Sequence, residues 1–118
     1  MNVKTFNVTK KMLKGADEDF ISRYAGKYVI KEWNFGEKQD ILEMCSVQDF
    51  DVETGDIKVN IKSSLYNILQ LKTCLREAPS PVTEEFIREL PNRIGAKLLS
   101  LVQEVNKEED EDSEEGKD

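Results

Sequence analysis

Apolar positions along this chain switch between a period of two and a period of three to four, and the switches outline its elements. Residues 2–8 alternate, with Phe6 and Val8 on one side and Lys4 and Asn7 interspersed, which predicts an edge strand. Asp17 is placed to cap a short helix carrying Phe20, Ile21 and Tyr24 at helical spacing, and Gly26 can stop it. Residues 28–33, Tyr-Val-Ile-Lys-Glu-Trp, follow as a strand of β-favouring side chains. Asn34 and Glu37 stand three apart, the spacing of a capping box, and predict a helix of about three turns. Its inward face is Ile41, Leu42 and Cys45, with Met44 at the margin. Trp33 and Phe35 flank this corner and are expected as core anchors, because isolated large aromatics usually fill space.

Period two returns in the middle of the chain. Phe50 and Val52 alternate with acids, and Ile57, Val59 and Ile61 alternate with polar residues on the far side of Glu53-Thr54-Gly55-Asp56. Pairing Val52 with Ile57 and Phe50 with Val59 places both apolar sets on one face of a hairpin, with Gly55 supplying a positive φ at the turn. A helix is predicted over 64–77, striped by Leu65, Ile68, Leu69, Leu71 and Leu75 and ended by Pro79 and Pro81. Thr83 is a natural N-cap, Glu84 and Glu85 suit the helix dipole, and Val82 and Ile87 occupy the positions of a hydrophobic staple. Leu90-Pro91 breaks that helix and opens a longer one whose face is Ile94, Leu98, Leu101, Val102 and Val105. Gly95 inside it costs about 1 kcal/mol relative to alanine. Either close approach of a neighbouring backbone or tolerance near a helix start accounts for it. The pattern as a whole predicts an α+β fold. It has a small antiparallel sheet or hairpin, four to five short helices, a helical C-terminal half and a disordered acidic tail.

Charge sharpens the division of the chain. The formal net charge of the 118 residues is −7, of which residues 107–118 carry −6 through eight acids and two lysines. The acidity therefore belongs to a tail without apolar residues, which cannot offset its own ordering entropy. One domain over 1–106 and a tail over 107–118 are expected, the tail acting as a solubilising end or as an arm for a basic partner. Lys4, Lys10, Lys11 and Lys14 give the N-terminus a lysine face that suits blunting a sheet edge better than reading nucleic acid, since no aromatic or arginine fork accompanies it. No apolar run reaches signal-peptide or membrane-span length, so a cytoplasmic protein without a membrane partner is expected.

Reactive chemistry has little to build on. Histidine is absent, removing the commonest general base near neutral pH. Cys45 and Cys74 lie among apolar residues without an activating partner and match no metal spacing; they are expected as buried, reduced thiols. Asp49 and Asp51 are expected on the solvated side of a strand. No phosphate loop or dinucleotide fingerprint occurs. A non-enzymatic protein is expected, with no catalytic residue, cofactor or metal.

The Trp-Asn-Phe-Gly-Glu-Lys corner at 33–38 and the Leu-Pro-x-x-Ile-Gly-x-x-Leu segment at 90–98 carry a family likeness. Over residues 27–106 the chain resembles the tail assembly chaperones of tailed viruses and their proviruses. The resemblance implies a non-enzymatic factor that coats a long helical tape measure protein and keeps it soluble until tail-tube subunits polymerise around it. Its partners are then the tape measure protein, tail-tube components and further copies of the chain, with no nucleic acid. On that reading Leu65, Leu69, Leu98, Leu101, Val102 and Val105 form the partner-binding surface, by the logic of helix-in-groove recognition, the alternative for each being that it simply belongs to the domain core. The alternative is an acidic regulatory module that occupies a basic protein partner, in the manner of a nucleic-acid mimic.

Overall fold

The structure is a computed structural model that describes residues 2–107. Those residues form an α+β fold. In chain order the elements are β1 (Val3–Val8), a 3-10 turn (Lys10–Leu13), α1 (Glu18–Tyr24), β2 (Gly26–Lys31), α2 (Phe35–Cys45) and β3 (Ser46–Phe50). Then come β4 (Ile57–Ile61), α3 (Ser63–Cys74), β5 (Leu75–Glu77), α4 (Glu84–Arg88) and α5 (Asn92–Val105). The strands make a three-stranded antiparallel sheet in the order β1-β2-β5 and a separate hairpin, β3-β4. The acidic run over 108–118 lies outside the described residues.

Local capping sets most boundaries. Asp17 accepts from the Phe20 amide at 2.8 Å, and Thr83 Oγ1 accepts from the Phe86 amide at 3.1 Å. The Asn34–Glu37 capping box is closed in both directions, at 2.8 Å and 3.0 Å. Gly26 opens β2 rather than merely stopping α1. Its φ is +142° and an added Cβ would meet the Pro79 ring at 3.1 Å, so conformation and space both select glycine.

The main core lies between one face of the three-stranded sheet and the helices. Val8, Tyr28, Ile30 and Leu75 from the strands meet Leu71 and Cys74 of α3, Phe86 and Ile87 of α4, and the α5 stripe of Ile94, Leu98, Leu101, Val102 and Val105. Burying one such side chain is worth about 1.5–3 kcal/mol, so the α5 stripe is a principal source of stability. A second cluster, Ile41, Cys45 and Leu69, joins α2 to α3. Trp33 packs against both clusters and so links them, although it is only partly buried and lies beyond the end of β2.

Several expectations are corrected. Phe35, the first residue of α2, is 76% exposed and is not part of either core cluster. Met44 is exposed rather than marginal. The helix predicted over 64–77 stops at Cys74, and Leu75–Glu77 leaves it to pair with β2 across a register shift. Gly95 is not required by space, since an added Cβ would sit at ordinary contact, 3.9 Å, from Leu90.

Candidate protein-interaction surface

The hairpin grows out of the α2–α3 pair. α2 ends at Cys45 and β3 starts at the next residue; the Lys62 amide donates to the Cys45 carbonyl at 2.9 Å and closes the base. Its observed register is Phe50 opposite Ile57, Gln48 opposite Val59 and Ser46 opposite Ile61. This differs by two residues from the register expected from the alternation, and the cause is the loop. The Asp51 carboxylate accepts from the Glu53 and Thr54 amides at 2.9 Å and 3.3 Å, and Gly55, at φ +78°, donates to the Asp51 carbonyl. That wide turn takes Asp51 and Val52 out of the strand. An even shift leaves each side chain on its original face, because strand side chains repeat every two residues.

One face of the hairpin therefore carries Phe50, Ile57, Val59 and Ile61, with only Ser46 and Gln48 between them and no charge. The other face carries the charges: beside the half-buried Val47, Asp49 lies opposite Lys58 and accepts a hydrogen bond from the Asn60 amide group at 2.7 Å. The apolar face is uncovered. Phe50, Ile57, Val59 and Ile61 are between 43% and 63% exposed, and β3 and β4 pack extensively only on each other. Isolated exposed apolar residues are ordinary, but a contiguous uncharged group of this size is not, which makes this face the candidate for contact with another molecule. Asp51, Glu53 and Asp56 make the tip acidic, while Lys62 stands exposed at the base.

The residues expected to bind a partner are placed differently. Leu98, Leu101, Val102 and Val105 are buried in the main core, Leu69 is buried between α2 and α3, and Leu65 is half-buried beside it. They fall in two separate clusters rather than on one surface, and a partner would reach the buried ones only by opening the domain. The signal that could have identified the hairpin instead was its strict alternation on a two-stranded ribbon, since two strands alone leave one face with nothing to cover it.

Cys45 and Cys74 are free, fully buried thiols, and burial pushes both up from the ordinary thiol range, keeping them protonated. Lys4 pairs with Glu104 at 3.5 Å on the edge strand β1. A shallow cleft of about 390 Å³ beside Trp33, Phe35, Lys38 and Asn106 is built partly from a structural contact, the Trp33 amide donating to Asn106 Oδ1 at 2.9 Å. A smaller apolar recess of about 280 Å³ is lined by Phe6, Met12, Arg93, Ile94 and Lys97. Neither cleft sets a nucleophile beside a base. Among the described residues no helix is long and apolar enough to cross a membrane.

Comparison with protein-family models, curated proteins and solved structures finds no match for this chain. The likeness to tail assembly chaperones thus rests on the two motifs themselves. Both have a structural role here: the first supplies the capping box of α2, and the second spans the Pro91 break and the start of α5.

Proposed function

We propose that this chain is a non-enzymatic binding factor that shields apolar surface on a protein partner, and that it acts as a tail assembly chaperone holding a tape measure protein soluble. The observation that carries this reading is the uncovered apolar face of the hairpin, held out on a separately packed helix pair. A tape measure helix presents long apolar stripes, and the uncharged face of the ribbon can lie along such a stripe without desolvating an unpaired charge. The buried, protonated thiols and the lack of histidine fit a protein that works by contact. In this version of the reading the partner meets Phe50, Ile57, Val59 and Ile61, while the α5 stripe holds the binder together.

The test is co-expression with the tape measure protein of the same genome. The wild-type chain is expected to raise the soluble fraction of that protein, and Ile57→Lys is expected to abolish the gain while leaving the chaperone folded. An unchanged soluble fraction with the wild-type chain counts against the assignment.

A further inference from the structure

We infer that, in the free protein, the hairpin face is covered by the hairpin of a second copy, the two ribbons packing face to face and antiparallel about a twofold axis. Three observations carry this. The first is area. The four large apolar residues of the face, this exposed, present a patch on the order of 450 Å². Two such patches in contact bury about 900 Å², the size of a small, exchangeable contact.

The second is self-complementarity. A twofold contact must match a surface to itself, so any charge on it meets a like charge near the axis. Here the face has none, since Asp49 and Lys58 both project from the opposite side. Val59 and Gln48 lie opposite each other at the middle of the ribbon, so an axis there brings the Phe50–Ile57 pair of one copy onto the Ser46–Ile61 pair of the other, Ile57 meeting Ile61, and the reverse.

The third is the charge at the two ends. Parallel ribbons would set the tip acids Asp51, Glu53 and Asp56 against their own copies. Antiparallel ribbons bring each acidic tip to the other copy's base, where Lys62 is exposed. The charges thus select one of the two orientations that the apolar face alone would permit.

Such a dimer keeps the apolar face out of water until a partner displaces the second copy. The inference goes beyond the chaperone reading and does not need it. A chain that dimerises yet leaves the tape measure protein insoluble retains this inference and loses that one.

The experiment is sedimentation equilibrium of the full chain over a concentration series, with far-UV circular dichroism as the check on folding. A monomer–dimer equilibrium is expected. Val59→Lys should raise the dissociation constant at least tenfold with an unchanged spectrum. Asp56→Lys and Lys62→Glu should each weaken the dimer, and the double variant should restore it; this exchange tests the arrangement even if Val59→Lys disturbs the ribbon. The inference is overturned by a chain that stays monomeric up to about 1 mM. It is equally overturned by open-ended oligomers, by a Val59→Lys protein that dimerises as well as wild type, or by failure of the double variant to recover.

Discussion

Tyr24 and Tyr28 sit against Phe86 in one aromatic cluster, with ring centroids 5.2 Å and 6.5 Å away, yet their hydroxyls differ. Tyr28 Oη donates to the Tyr24 carbonyl at 2.7 Å, while the buried Tyr24 hydroxyl has no partner among the described residues. Burial is the main cause that pushes both phenols above their ordinary range. Tyr28→Phe should therefore cost about 1–3 kcal/mol, because it strands a buried carbonyl, whereas Tyr24→Phe should be neutral or stabilising. Urea denaturation midpoints of the two variants check this, and equal losses would contradict it. Glu37 supplies a pH dependence. The Asn34 amide, and after it Lys31 at 3.0 Å, hold its carboxyl below the ordinary range. A lowered folded value means that its contribution is present above the ordinary carboxylate range and is lost as pH falls through the lowered value. The stability gap between wild type and Glu37→Gln should be full at neutral pH and close in acid. A gap that is constant from neutral to acid pH would show that the carboxylate charge is not involved.

The helices and strands divide by how local their causes are. The caps at Asp17, Asn34 and Thr83 were legible because each is a contact within three residues along the chain. β5 was not legible: Leu75-Arg76-Glu77 continues the helical stripe of α3, and only the distant Ile30 and Val29 convert it to a strand. The hairpin was legible as an element and as a face, but its register was not, because the Asp51 side chain determines the loop width. In α5 the glycine is a remnant of no steric need. Gly95→Ala should stabilise by up to about 1 kcal/mol through helix propensity, read as a rise in thermal midpoint. A loss would reveal a constraint at Leu90 that 3.9 Å of clearance does not suggest.

Two apolar surfaces of similar strength in the sequence have opposite fates in the folded molecule. The α5 stripe closes the main core and the hairpin face stays open, which separates their mutational signatures. Leu98→Ala should cost about 2–5 kcal/mol, a large part of the total stability of a small domain, and should lower the thermal midpoint. Val59→Lys should leave the midpoint nearly unchanged at concentrations where the wild type is monomeric, because the side chain is exposed within one chain, and should alter association. If Leu98→Ala were neutral to stability and harmful only to binding, the stripe would be an interface after all.

From the sequence alone came the α+β class, the caps, the hairpin with its one apolar face, the paired helices around Pro91 and the inert surroundings of the cysteines. These follow from periodicity and from short-range hydrogen bonds, which a linear string records. The string does not record which apolar face finds a neighbour. Burial is a property of what stands opposite a side chain, and opposition is settled by distant pairings: β5 with β2, α2 with α3, and α5 with the sheet. For that reason the leucines and valines of α5 became core while the ribbon of Phe50, Ile57, Val59 and Ile61 was left uncovered.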